Sequence, residues 1–521
     1  MPLEFWGKSP VPEDKQQVLR ELSFGQRVAE EEAAQLSAYF VETDQWRRVW
    51  DGEVDIVYGA KGAGKSAIYA TLSQRDGDLF DRSILVKAAE NPQGAPAFQG
   101  LVADPPASQD QFVFLWKLYF LSLLAQVLED YGVGGEHAKR LADSLRDAGL
   151  LHPKSSPLAR LVHSVLGYVR HWFSAPESVE GAVALDPTTG TPTGLSTKIT
   201  FRQPSIEERA RGKVYVDDLF ELANEALRQD DYHVWLLLDR LDVAFAESRQ
   251  LEANALRALF RVYLDLVPLD RVSLKIFLRS DIWQSITTRG FREASHITRE
   301  LTIRWDSASL LRLVVQRLLQ NPALCRFYQV NTDDVLSRST AQRELFEKVF
   351  PSQVDTGPNK PMTFDWCLLR TRDGTKNNAP RELIHLLSAA REVQLRRLEL
   401  GEPAPPDPFL FERTAVKDAL PEVSEVRLTK TLYAEYDEYR RYLELLEGQK
   451  TNHSARTLSN IWSVPEEAAQ EIANRLAEIG FFEKRGEQAH PTYWVPFLYR
   501  PALQLVQGSA ELSTGTETDD E

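Results

Sequence analysis

The residues best suited to chemistry fall in one octapeptide, Gly59-Ala60-Lys61-Gly62-Ala63-Gly64-Lys65-Ser66. It fits the pattern G-x-x-x-x-G-K-[ST] in full. A loop that wraps a phosphate needs close backbone approach and unusual backbone angles, which Gly59, Gly62 and Gly64 allow because they carry no Cβ. Its amides, and the start of a following helix, then point at the anion. Lys65 is expected to reach the outer phosphates and the Ser66 hydroxyl to ligate magnesium. Ala60, Lys61, Ala63 and Ala67 complete the contact set. ATP and Mg2+ are the ligand and metal that this chemistry implies.

A phosphate loop needs an acid at the end of a second buried strand to hold the metal. Val234-Trp235-Leu236-Leu237-Leu238-Asp239 has the form of such a strand, with Asp239 at its carboxyl edge, where ligands sit in open α/β sheets. The next residue is Arg240. Asp242 is therefore the candidate for orienting the attacking water; the competing reading makes it a helix cap or a partner of Arg240. A third apolar strand runs into Arg279-Ser280-Asp281. Arg279 or Ser280 could donate to the γ-phosphate and Asp281 could hold water, unless the three form a surface turn. In Asn377-Asn378-Ala379-Pro380-Arg381, Pro380 suits a first helical turn and Arg381 would project from it, either toward phosphate or as an ordinary surface side chain.

These groups have to be positioned by an alternation of strands and helices. Strands are expected at 55–58, 83–88, 233–238 and 272–278, with helices at 66–72, 111–130, 136–146, 158–173, 217–228 and 251–266. That alternation argues for a parallel sheet with helices on both faces. From residue 307 the pattern turns helical, at 310–319, 341–349, 364–370, 381–398 and 416–446. At the end come a helix at 465–479, with Gly480 as its cap, and strands at 481–484 and 493–498, the tail of a winged helix. The expected domains are an N-terminal helical segment (1–45), an α/β core (46–305) with an insertion near 174–212 and a small β element at 198–201, a helical lid (306–400), a connector (409–450), a winged helix (451–508) and a disordered acidic tail (509–521).

The chain has 521 residues and a formal net charge of -15, so at long range it repels a nucleic-acid backbone. The winged-helix candidate repeats that sign: Glu466, Glu467, Glu471 and Glu478 face Arg475, and Lys484 with Arg485 is the one close basic pair. Docking of protein is favoured over duplex readout, though DNA stays open as a partner. Cys325 and Cys367 have no close Cys or His in sequence and read as small buried hydrophobes in a reducing cytoplasm. No segment is expected to cross a membrane; the richest, 112–128, is interrupted by Lys117 and Gln126.

Taken together, these motifs resemble prokaryotic P-loop ATPases near the KAP, NACHT/STAND and origin-recognition AAA+ groups. Asp239-Arg240-Leu241-Asp242 looks like the NACHT and KAP form of the magnesium-binding strand end. Leu274 to Asp281 resembles a sensor-1 strand, and Asn378 to Arg381 is similar to a lid motif with a sensor-2 arginine. Ser23-Phe24-Gly25 and Val28-Ala29-Glu30, leading to Tyr39-Phe40, are similar to the segment that covers adenine. Arg289, Arg292 and Arg299 are candidates for an arginine finger. The resemblance implies an ATP-dependent switch coupled to a protein effector or to further copies of the chain, of the sort found in bacterial stress or phage-defence systems. The alternatives are an oligomeric motor or loader on DNA or protein, and a small-molecule kinase.

Overall fold

The computed structural model describes residues 14–26, 32, 36–90, 97–98, 106, 108–152, 157–174, 216–241, 248–288, 290–487 and 491–510. Asp242, Arg289, the stretch Val28-Ala29-Glu30, the strand expected at 198–201 and the tail from 511 lie outside them. The chain divides into two compact units, one of residues 44–59 and 65–303, the other of 1–43, 60–64 and 304–521.

The first unit is built on a parallel sheet of five strands: β1 (Ile56–Gly59), β2 (Ile84–Ala88), β3 (His233–Leu238), β4 (Val272–Arg279) and β5 (Glu300–Thr302). Their order is β2-β3-β4-β1-β5, with every pairing parallel. Parallel strands need crossovers, and helices supply them. In β3 the run from Val234 to Leu238 is wholly buried, as a central strand covered on both faces must be. The strand bearing Asp239 is not a direct neighbour of β1, because β4 lies between them.

The core against this sheet is organised by the helix Gln109–Tyr131. Ser108 caps its start by accepting from the Gln111 amide, and Gly132, at φ +66°, closes its end. Phe112 to Leu128 is buried without interruption. By length and composition this is the one helix among the described residues apolar enough to span a membrane, but 94% of its apolar window is buried inside the protein. The helices Arg249–Leu266 and Leu158–Ser174 pack on it. Lys117 is its charged interruption, and the carboxylates of Asp217 and Asp265, at 2.8 and 2.7 Å, take up its ammonium.

At the amino end of β1 lies a buried ion cluster. Lys275 Nζ donates to Asp55 Oδ1 at 2.8 Å and to the Val54 carbonyl at 2.7 Å. Arg299 Nε donates to Asp55 Oδ2 at 2.7 Å, and Tyr263 donates its hydroxyl to the same oxygen at 3.2 Å. Burial holds the Lys275 ammonium below its ordinary range, with Asp55 pulling the other way.

The second unit is mostly helical. Ser307–Leu319, Pro322–Tyr328, Thr332–Leu336, Ser339–Val349, Thr363–Thr371 and Pro380–Glu399 precede a broken run of Arg413–Asp418, Leu420–Arg427 and Asp437–Glu444. The single helix expected at 416–446 is interrupted. Pro421, which has no N–H to donate, sits in the first turn of Leu420–Arg427, and Leu428–Tyr433 widens into a π-helical turn. The C-terminal part runs β6 (Lys450–Ser454), the helices Ala455–Trp462 and Glu466–Glu478, then β7 (Glu483–Arg485), β8 (Thr492–Trp494) and β9 (Val506–Ser509), in the sheet order β7-β8-β6-β9. The strand expected at 493–498 stops at Trp494, short of Pro496. Within the expected N-terminal helical segment (1–45), the described residues include the helices Lys15–Glu21 and Leu36–Tyr39, with Gly25 at φ +79° between them.

Candidate functional site

The octapeptide is placed by the sheet. β1 is buried along its whole length and delivers Gly59 to the carboxyl edge, level with Arg279 of β4. The chain then turns, with the Ala63 amide on the Ala60 carbonyl at 3.1 Å, and enters the helix Lys65–Gln74. Gly62 and Gly64 adopt φ of +81° and +101°, a region closed to most side chains. Lys65 is 9% exposed and donates Nζ to the Gly59 carbonyl at 2.9 Å, so its ammonium curls back over the turn. Ser66 stands in the first turn of that helix, where amides lack intrahelical partners. Left-handed glycines, the Lys65 bond to Gly59 and a helix start directly after the turn are the local features observed at the octapeptide.

Asp239 comes directly after β3 and is 5% exposed. Tyr69, one turn beyond Lys65, senses it: burial raises the Tyr69 phenol first, and the charges of Asp239 and Glu90 raise it further. Asp239 thus lies by the helix that starts at Lys65. Ala88 pairs with Leu237, so Glu90 and Asp239 each come two residues after paired positions at the ends of neighbouring strands, and Glu90 is 1% exposed. Sequence reasoning missed Glu90; the signal was an acid two residues beyond the apolar strand expected at 83–88. No group of three or more His, Cys, Asp or Glu that could hold a metal occurs among the described residues. A magnesium ion held by the Ser66 hydroxyl and Asp239 would complete its shell with water and phosphate oxygens, which is how Mg2+ is ordinarily bound.

The residues past β4 do not form a turn; Ser280 begins the helix Ser280–Thr288. Arg279 grips Asp281 through two parallel bonds, Nε to Oδ1 at 3.1 Å and Nη2 to Oδ2 at 2.8 Å. The Ser280 hydroxyl is buried with no hydrogen-bond partner among the described residues. Arg299, one of the finger candidates, is instead committed to the Asp55 cluster at the opposite end of β1. Arg292 is exposed.

In the second unit, consecutive loop residues are each held by a different side chain. A Cβ built on Gly62 would come within 2.9 Å of Arg381 Cβ, so that arginine lies against the loop. Trp305 donates Nε1 to the Ala63 carbonyl at 2.8 Å, and Lys61 forms an ion pair with Glu435. Sequence reasoning missed both Trp305 and Glu435, because they lie hundreds of residues from the loop. Pro380 opens the helix Pro380–Glu399 and Arg381 follows it in the first turn, as expected. Before it, Arg372 and Asn378 form an antiparallel bridge, and the Gly374 amide donates to the Gly480 carbonyl at 2.7 Å, tying this turn to the C-terminal part. Next to Arg381, Glu382 pairs with the buried Arg427 at 2.8 Å.

The N-terminal segment is fastened by the helix Ser307–Leu319 and by Asn321 just past its end. Arg317 clasps Glu32 through both oxygens at 2.6 and 2.9 Å and lies 4.6 Å over the ring of Tyr39. Gln316 donates to the carbonyls of Ala38 and Phe40, and Asn321 exchanges bonds with the Ser23 backbone. Of the two cysteines, Cys367 is buried and its thiol pushed up to about 12 by burial; Cys325 is only half-buried.

No protein-family model and no curated protein matches this chain. Among solved structures, the ORC2 protein of Aeropyrum pernix is similar in two forms. The form described as ADPNP-ADP complexes is 13% identical, covers 94% of this chain and 99% of its own, and has a TM-score of 0.29. The ADP form is 13% identical, covers 94% and 95%, and has a TM-score of 0.30.

Proposed function

We propose that this chain binds ATP at Gly59–Ser66 and hydrolyses it slowly, as a nucleotide-switched ATPase of the AAA+ or STAND-like kind. The observation that carries this is the loop itself: left-handed Gly62 and Gly64, Lys65 folded over the turn, and Ser66 in the first turn of the next helix. Backbone amides of residues 60–67 and the Lys65 ammonium would hold the triphosphate. Ser66 and Asp239 would hold Mg2+, which when bound neutralises charge on the phosphates. Asp242 is assigned to orient water, and Arg279, Ser280 and Arg381 to meet charge on the γ-phosphate. Arg279 suits that task because Asp281 fixes its guanidinium plane.

On this reading 306–400 is a lid, 409–450 a connector and 451–508 a winged helix. The turn before Arg381 is tied to the C-terminal part, and the Glu382–Arg427 pair ties the lid to the connector. Nucleotide state would then be read out by a protein effector or by further copies of the chain. A stress or defence role comes with the family likeness. The test is phosphate release with and without DNA, together with mass measured with ATP, ADP or neither. Slow turnover indifferent to DNA, with a mass that depends on the nucleotide, supports the switch. Strong stimulation by DNA would replace it with a motor or loader, and phosphate transfer to a metabolite with a kinase. Asp242→Asn should keep ATP binding and lose turnover by a factor of about 100 or more; normal hydrolysis would remove Asp242 from its role.

A further inference from the structure

Lys61 occupies a position that the loop pattern leaves open, between the two glycines Gly59 and Gly62. Its ammonium is paired with the carboxylate of Glu435, and both side chains are largely shielded, at 30% and 18% exposure. Glu435 lies just past the π-helical turn Leu428–Tyr433 and directly before Tyr436, where the backbone leaves helical geometry at φ -134° before Asp437–Glu444 begins. Wide turns of this type are uncommon and recur at functional positions. One Glu435 oxygen, Oε1, takes the lysine, while Oε2 is buried.

We infer that Glu435 is a positioning residue that sets nucleotide affinity by holding Lys61 away from phosphate. The inference rests on the phosphate-loop reading above. A carboxylate and a polyphosphate are both anions and compete for one ammonium. While Glu435 holds Lys61, a nucleotide meets a loop with one cation engaged and one extra negative charge nearby. When phosphates draw Lys61 over, Glu435 loses this ion pair, and the segment 428–436 has reason to move. Triphosphate binding is thereby coupled to the connector, and a nucleotide with fewer phosphates pulls less. Arg381 on Gly62 and Trp305 on Ala63 keep the rest of the loop in place during this exchange.

The test is calorimetric titration of the full chain with ATP, ADP and AMP in Mg2+, comparing wild type, Glu435→Gln, Glu435→Asp and Glu435→Gln in a Lys61→Met background. Glu435→Gln should tighten ATP roughly threefold to tenfold, the scale of one partly shielded ion pair. ADP should gain less and AMP almost nothing, and the gain should shrink as salt rises. Glu435→Asp should return toward wild type, and the Lys61→Met background should lose most of the gain. A merely structural residue would shift melting temperature and not rank nucleotides by phosphate number. Unchanged ATP affinity in a folded Glu435→Gln variant, or an equal gain for AMP, overturns the inference. If that variant does not fold, Lys61→Met decides: weaker ATP binding upholds the competition and unchanged binding ends it. Absence of any nucleotide binding by wild type refutes instead the phosphate-loop reading.

Discussion

Gly25→Ala is the substitution whose cost the structure fixes most closely. Gly25 has φ +79°, and a Cβ there would lie 1.8 Å from Glu32 Oε1 and 2.1 Å from Arg317 Nη1. Side-chain ends usually swing clear of such a contact. These two are pinned: they form the two-bond ion pair, Glu32 and Arg317 are 4% and 5% exposed, and Glu32 Oε1 also accepts the Gln26 amide at 2.7 Å. Left-handed backbone costs an alanine about 1 kcal/mol. Separating a buried pair costs about 3–5 kcal/mol when a charge is left uncompensated, and part of that is recovered by relaxation. The expected loss is about 3–5 kcal/mol. Gly401→Ala is the control: it lies in the same unit, has φ +85° and meets nothing within 4 Å, so only the backbone term of about 1 kcal/mol applies. Urea unfolding of both variants, monitored by tryptophan fluorescence, measures the difference. If the two lose equal stability, the Glu32–Arg317 clasp does not hold Gly25 as described.

Buried charge sets the other outcomes. His453 is 1% exposed and bonded through Nε2 to the Lys450 carbonyl at 2.7 Å; burial lowers its pKa to about 4 from 6.5. The neutral ring is the form that folds, so its contribution is complete above pH 6.5 and is lost as pH falls toward 4. Acid should destabilise the C-terminal sheet by on the order of 3 kcal/mol across that window, and His453→Gln should flatten the dependence, as read by melting temperature against pH. Asp55→Ala strands the 1%-exposed Lys275 together with Arg299 and should cost about 3–5 kcal/mol in urea unfolding, whereas Asp231→Ala, which loses a surface partner of Arg271 and leaves an alanine at φ +56°, should cost only about 1 kcal/mol.

The strand, glycine turn and helix around 59–66 are legible in the sequence because their requirements are local: three glycines, a lysine and a hydroxyl at fixed spacing between an apolar run and a helical one. The strand ahead of Asp239 is legible for the same reason, since burial on both faces leaves an unbroken apolar run at 234–238. Strand order is not local, and nothing in the residues of β4 shows that it lies between β1 and β3. β5 has three residues and β6 reads Lys-Thr-Asn-His-Ser; neither shows apolar alternation, and each is a strand because of the partner beside it. The residues gathered on the loop, Trp305, Arg381 and Glu435, come from far along the chain. Only Arg381 carried a local sign, the proline that opens its helix. The break at Pro421 was written in the sequence, but the apolar periodicity running across it suggested one helix.

The central claim is that Lys65 and its loop hold a triphosphate. Calorimetric titration of the full chain with ATP and Mg2+ should show saturable binding in wild type and a loss of at least about tenfold in Lys65→Ala, with the fold retained by circular dichroism. Equal affinity in the two proteins, or a wild type that takes up no nucleotide, would contradict it.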